Sequence, residues 1–313
     1  MQRNLVGVIS IFVRGMAMGV ADIIPGVSGG TVAFITGIYE ELINSIKSIN
    51  LSLFKTLFTR GIAVAWKQAN GTFLLAVLGG ILLSLFTLAK VLTYLISNYQ
   101  ILVWAFFFGL IAGSVIFVWK TITKWDLTTI MALVAGILVA FYITIATPAT
   151  TPDGLFFIFL SGAIAICAMI LPGISGAFIL LLLGKYEYML NALKNLQLTD
   201  LAVFAAGCAL GIIAFSNVIA WLFKKYRNLT LALLTGFMIG SLNKIWPWKE
   251  VLLTQINSKG HEVPIIEKST LPGHFQQITG ENPVLLEAGL IALLGLGLVI
   301  GFDYIASRKK PAA

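Results

Sequence analysis

The residues best suited to chemistry lie in MGVADIIPGVSGGT, at 18–31. If Pro25 ends one helix and another starts near Ser28, the first N–H groups of the new helix lack intrahelical acceptors. Backed by the positive end of the helix dipole, they form an anion site. Ser28 and Thr31 add hydroxyl donors. Gly26 permits the chain reversal, while Gly29 and Gly30 let a bulky anion reach the backbone. A second stretch, LPGISGAF at 171–178, offers Gly173, Ser175 and Gly176 in the same order, with Ala177 and Phe178 in place of Gly30 and Thr31. The plainer alternative is that Ser28 and Ser175 only cap their helices.

Arg14 and Asp22 stand two turns apart in one apolar run. Ionisable groups inside membrane segments are costly and usually functional. Arg14 can pair with an anionic headgroup. Asp22 repels an anion when ionised and tolerates it when protonated, so it is the candidate for proton coupling. The alternative is a structural ion pair between the two. Glu40, Asn44 and Lys47 share a helix face and recur as Glu187, Asn191 and Lys194. Glu40 lies about 18 Å beyond Ser28 along a helix. Glu40 and Glu187 are therefore candidates for gating, or else ordinary helix ends entering water. Tyr39 and Tyr186 fit interfacial anchors. Lys90 is a further charge within an apolar run. The two His, His261 and His274, share one polar loop, and Cys167 and Cys208 sit in apolar runs as packing residues. No metal-ligand spacing occurs, no cofactor is expected, and no nucleophile–base pair is found, so catalytic residues are not predicted.

The elements that must position these groups are membrane helices. The chain of 313 residues is 58% hydrophobic and 11% charged, with mean hydropathy +0.96. Soluble domains carry roughly a quarter charged residues. Ten apolar segments are predicted, at 5–23, 27–46, 72–96, 101–119, 127–147, 154–171, 174–193, 201–223, 229–246 and 284–305. The pairs flanking Pro25-Gly26 and Pro172-Gly173 read as re-entrant hairpins or as double spans, since non-helical backbone at that depth needs protein or water around it. Arg14 breaks the first apolar run, so the N-terminus is not read as a secretory signal.

A shift of 147 superposes 12–47 on 159–194, matching Pro25, Gly26, Ser28, Gly29, Gly37 and Glu40 with Pro172, Gly173, Ser175, Gly176, Gly184 and Glu187. After an insertion in the first half the shift falls to 127, pairing Gly109, Gly113 and Ser114 with Gly236, Gly240 and Ser241. An odd number of crossings per half makes the second half upside down. The expected fold is therefore an all-α polytopic membrane protein, one integral membrane domain of two inverted-topology repeats, 1–147 and 148–313. Each repeat is a Pro-Gly-broken hairpin plus three transmembrane helices. Inverted repeats with interrupted helices are the pattern of secondary transporters, with the site at the repeat interface. Lys and Arg concentrate on the side holding both termini and the loop with Lys47, Lys55, Arg60 and Lys67, which makes that side cytoplasmic. The net charge of +8 follows from this bias and from anionic lipid contact, without nucleic acid. The polar loop 247–283 is external, either a lid or, more simply, an irregular connection.

The motif MGVADIIPGVSGGT, its partner LPGISGAFILLLLGKYE, and GLIAGS (109–114) with GFMIGS (236–241) resemble the bacterial polyprenyl-phosphate transporter family over essentially the whole chain. The resemblance implies movement of undecaprenyl phosphate from the outer to the inner leaflet of the cytoplasmic membrane, recycling the lipid carrier of cell-wall synthesis. A phosphate headgroup suits helix N-termini, hydroxyls and an Arg, while the polyprenyl tail stays in lipid. A proton or cation would be the coupling partner. Two alternatives remain. One is an intramembrane undecaprenyl-pyrophosphate phosphatase, whose family has an Arg in its motif where Gly29 and Gly176 stand here. The other is a transporter of a small soluble anion.

Overall fold

The apolar runs fold into helices whose ends follow the punctuation of the sequence. The structure is a computed structural model that describes residues 4–23, 27–149, 151–152, 154–256 and 262–308. In chain order the first half holds α1 (Leu5–Ile23), α2 (Gly29–Ile35), α3 (Tyr39–Lys47), α4 (Leu51–Arg60), α5 (Ile62–Gln68), α6 (Gly71–Asn98), α7 (Gln100–Thr121) and α8 (Leu127–Ile145). The second holds α9 (Leu155–Ile170), α10 (Gly176–Leu182), α11 (Tyr186–Lys194), α12 (Leu198–Lys225), α13 (Arg227–Ser241), β1 (Lys249–Ile256), β2 (Glu262–Ser269), α14 (Pro272–Thr279) and α15 (Leu285–Arg308). Five of these, α1, α6, α7, α8 and α12, are long and apolar enough to cross a membrane. The chain is a multi-pass membrane protein.

The segments read as 27–46 and 174–193 are each two helices. Gly37 and Gly184, partners under the 147 shift, take left-handed φ of 73° and 66° and bend the chain between α2 and α3 and between α10 and α11. The fall in shift to 127 is explained by α4 and α5, which occupy a stretch where the second half has only the short link from Lys194 to Leu198.

The chain forms two compact units, Met1–Leu92 with Thr150–Thr230, and Thr93–Ala149 with Leu231–Ala313. Each unit draws on both sequence halves. In the first unit, a Cβ on Gly15 of α1 would run into the Val77 carbonyl of α6, and one on Gly80 into that of Phe12. The same crossing recurs between α9 and α12, where Gly162 meets the Phe204 carbonyl and Gly207 that of Phe159. Small residues let membrane helices approach this closely. Cys167 and Cys208 lie in the α9–α12 crossing as free thiols, against the carbonyls of Gly211 and Gly162.

In the second unit the helices exchange partners between halves. Gly109 and Gly113 of α7 abut Ala292 and Leu296 of α15, and Gly236 and Gly240 of α13 abut Leu133 and Ile137 of α8. Gly295 meets the Phe106 carbonyl as Gly136 meets that of Leu233. Every one of these contacts maps onto its counterpart in the other half.

The region 247–283 corrects the expectation of an irregular connection and adds strand to an otherwise helical chain. β1 and β2 pair antiparallel, with Lys249 opposite Ser269, and α14 follows. Tryptophans staple this module down. Trp246 donates from Nε1 to the Thr270 carbonyl at 2.7 Å and Trp248 to that of Pro283 at 2.9 Å, while Trp248 and Phe275 pack with Ala105 and Ala288. Glu267 is shared by Lys244 (3.2 Å) and Lys249 (3.3 Å), and the Lys249 ammonium lies 4.1 Å from the Trp104 ring centre. Burial pulls Lys249 down to about 8, against the opposing pull of Glu267. Burial also pushes the Glu267 carboxyl up, but Lys249 and Lys244 together outweigh it and hold the group below its ordinary range. Sequence polarity alone could not reveal this module, because its order comes from three indoles and one shared carboxylate.

Candidate functional site

The two serine-glycine stretches meet in the first unit. Ser28 is the N-cap of α2, in extended backbone, and its Oγ accepts from the Gly30 N–H at 3.1 Å. The same hydroxyl lies 3.0 Å from the Met169 carbonyl and 3.3 Å from that of Leu171, to which it donates at the end of α9. Thr31 Oγ1 accepts from the Gly173 N–H at 2.8 Å. Gly173 has φ of 89°, a left-handed turn that glycine adopts without strain. A Cβ on Gly30 would stand 2.5 Å from the Ile170 carbonyl. The positive end of α2 therefore abuts the carbonyl end of α9, an arrangement the two dipoles favour. Ser28, Gly29, Gly30, Thr31, Gly173, Ser175 and Gly176 are all buried. Pro25 and Gly26 lie outside the described residues.

Asp22 occupies the head of α2. Its Oδ1 accepts from the Gly29 N–H at 2.7 Å, and a Cβ on Gly29 would lie 2.6 Å from its Oδ2. The groups that use the two glycines for close approach are thus the protein's own Asp22 and the end of α9. A carboxylate is an anion, and here it takes a position the sequence assigns to an anionic ligand. The second copy differs. Ser175 is the N-cap of α10 but makes no side-chain hydrogen bond to it, and Met169 replaces Asp22. Capping alone therefore describes Ser28 better than Ser175.

Arg14 is half-buried and makes no hydrogen bond or ion pair among the described residues. The carboxylate of Asp22 bonds the backbone of α2 instead, so the alternative of an Arg14–Asp22 pair does not hold in this conformation. Its counterpart Ser161 bonds within its own helix, to the Ile158 carbonyl. Lys90 is exposed on α6.

Glu40 forms a two-pronged pair with Arg227, at 2.7 and 2.9 Å. It joins the start of α3 to the start of α13. Beside it, the Tyr39 ring meets Phe34 and Phe223 edge-on, at 5.1 and 6.0 Å. Tyr39 is 2% exposed, so it is a core residue and not an interfacial anchor; Tyr186, at 37%, keeps that reading. Glu187 has no ion pair among the described residues. Sequence reasoning missed Arg227 as a partner, because 187 residues separate it from Glu40.

A polar cleft of about 480 Å³ opens between α3, α5 and the start of α6, lined by Glu41, Asn44, Ser45, Ser48, Gln68 and Asn70. Asn70, with φ of 52°, donates to Glu41 at 2.7 Å and to Ser45 at 3.1 Å. Glu41 lines this cleft, whereas Glu40, its neighbour in sequence, pairs with Arg227. Among the described residues no group of His, Cys, Asp and Glu is placed to hold a metal.

This architecture, a multi-pass helical protein with two broken-helix motifs meeting inside one unit, has known counterparts in sequence. The family model described as VCA0040-like, undecaprenyl phosphate translocase-like, matches residues 18–263. A polyprenyl-phosphate transporter of Vibrio cholerae is 44% identical over 300 residues, covering 96% of this chain and 97% of that protein. A polyprenyl-phosphate transporter of Staphylococcus aureus is 34% identical over 252 residues, covering 75% and 84%. The chain belongs to the undecaprenyl phosphate translocase-like family. No solved structure matches it.

Proposed function

We propose that this protein carries a polyprenyl phosphate, undecaprenyl phosphate by the description of its family, from the outer to the inner leaflet of a bacterial cytoplasmic membrane. Both termini are cytoplasmic, and the two halves are inverted repeats that alternate access to a shared centre. The observation that carries this reading is the interlocked pair of tips, with Asp22 seated on the Gly29 N–H where a phosphate would sit. The Vibrio cholerae and Staphylococcus aureus relatives are both named polyprenyl-phosphate transporters. The second broken hairpin is re-entrant: α9, at 16 residues, reaches about 24 Å, short of a hydrocarbon core of about 30 Å.

The phosphate displaces Asp22 from α2 and gathers the N–H groups and hydroxyls of Ser28, Gly29, Gly30, Thr31, Ser175 and Gly176, with Gly26 and Gly173 shaping the turns. Arg14 supplies the positive charge while the tail stays in lipid. Two anions cannot share one helix start, so release of Asp22 is coupled to its uptake of a proton, or its charge is met by a cation. Glu40 with Arg227 closes the cytoplasmic side, and Glu187 marks the opposite gate. The protein acts without covalent chemistry and without a cofactor.

Proteoliposomes carrying labelled polyprenyl phosphate in one leaflet test this. Protein-dependent exchange is expected. Uptake of separately added, labelled inorganic phosphate without lipid exchange would select the small-anion reading instead.

A further inference from the structure

The insertion peculiar to the first half is α4 and α5. We infer that this pair is an in-plane foot that binds the anionic lipid of the leaflet it lies on, resting on the reading above for which leaflet that is.

Neither helix can span a membrane. At 10 and 7 residues they reach about 15 and 10 Å. Nor do they behave as a water-exposed connection. Leu51, Phe58 and Ile62 are 88%, 85% and 75% exposed, with Phe54 and Trp66 beside them. On α4 the period of 3.6 places Leu51, Phe54 and Phe58 on one side. Ser52, Lys55, Thr56, Thr59 and Arg60 fall on the other. Leu53 and Leu57 are half-buried.

The fold holds this face in a fixed attitude. Asn50 caps α4 by accepting from the N–H groups of Ser52 and Leu53. Gly61, with φ of 84°, turns the chain directly into α5. Gln68 donates to Ser52 at 3.0 Å and closes the V between the helices. Trp66 donates to Thr72 at 3.1 Å and ties α5 to the head of the spanning helix α6. The foot therefore sits where a spanning helix enters the membrane.

Its charge chooses the partner. From Leu42 to Asn98 there is no acidic residue, whereas Lys47, Lys55, Arg60 and Lys67 lie in or beside the foot. A short helix with exposed aromatics on one face and basic residues on the other lies in the headgroup region and favours anionic lipid. Because the second half has no equivalent, the foot makes a duplicated molecule one-sided. It would gather phosphate-bearing lipids beside the first hairpin alone.

The test uses the full chain in nanodiscs, with Cys167 and Cys208 replaced by Ala and a bimane on F58C or T59C. Bimane at 58 should be quenched by a nitroxide just below the lipid headgroup, more than by aqueous iodide; at 59 the order should reverse. Spin-labelled phosphatidylglycerol should quench position 58 more than spin-labelled phosphatidylcholine. K55Q, R60Q and K67Q should each reduce that preference, up to about fivefold per charge at low salt. Iodide dominating at 58, or position 58 shielded from both quenchers by a protein partner, would overturn the foot. Equal quenching by the two lipids would overturn its anionic preference. Nanodiscs expose both faces, so a wrong orientation or failed transport leaves these readouts unchanged and is scored separately in proteoliposomes.

Discussion

At Gly30 a single hydrogen separates α2 from the Ile170 carbonyl. Gly30→Ala puts a methyl 2.5 Å from that oxygen and must part the two tips. The expected result is a protein that still folds and inserts, with lipid exchange reduced by about tenfold or more, as a sub-ångström to 1 Å displacement at a binding centre implies. Normal exchange would show that the tips need not meet. Asp22→Asn keeps an acceptor for the Gly29 N–H and removes the titratable charge, so exchange should lose its pH dependence while retaining lipid binding. An unchanged pH profile would remove Asp22 from the coupling. The serine-glycine pattern was legible because backbone chemistry is local. That Asp22 would seat on Gly29, seven residues on, was not, since the seat depends on how the chain turns between them.

Elements carry the next scale, and two ion clusters separate structure from switching. Glu40 and Arg227 are 42% and 59% exposed, and such a pair contributes about 0–1 kcal/mol to stability. Its effect should instead be on which side is open. E40Q should increase accessibility of a cysteine probe at Asn44 from the side proposed as cytoplasmic, with little change in melting temperature, and the exchange E40R with R227E should restore closure. The Glu267 cluster is the opposite case. It is buried, and removing one partner of a buried pair costs about 3–5 kcal/mol. E267Q removes the carboxylate that faces the buried Lys249 ammonium and should release the hairpin, seen as faster amide exchange in β1 and β2. K249M keeps a contact with Trp104 and should be milder. The sign with pH follows from the carboxyl: its folded value is depressed, so its stabilisation is full above its ordinary range near 4.5 and is lost as pH falls through the lower folded value. Hairpin protection should therefore fail in acid in the native chain. The helices themselves were readable from hydropathy, yet α4, α5 and the hairpin were not. Their order comes from Asn50, Gly61, Gln68 and three tryptophans acting at a distance.

At the largest scale, duplication was visible as two shifts in one sequence, and the crossings at Gly15 and Gly80 recur at Gly162 and Gly207. The sequence halves 1–147 and 148–313 do not correspond to the compact units, because α7 packs on α15 and α13 on α8 across the halves. Periodicity within a segment carries no information about such an exchange. The departures from symmetry, namely Asp22, Arg14, the α4–α5 foot and the Glu40–Arg227 pair, fall in the first half or tie to it. In the proposed inverted-repeat scheme these residues would give the transport cycle its direction. The most direct test places the pure protein in liposomes with labelled undecaprenyl phosphate in one leaflet and undecaprenyl pyrophosphate in a parallel set. The account predicts leaflet exchange of the phosphate, lowered by Gly30→Ala, with no release of inorganic phosphate from the pyrophosphate. Release of inorganic phosphate, or no exchange by the folded protein, would contradict it.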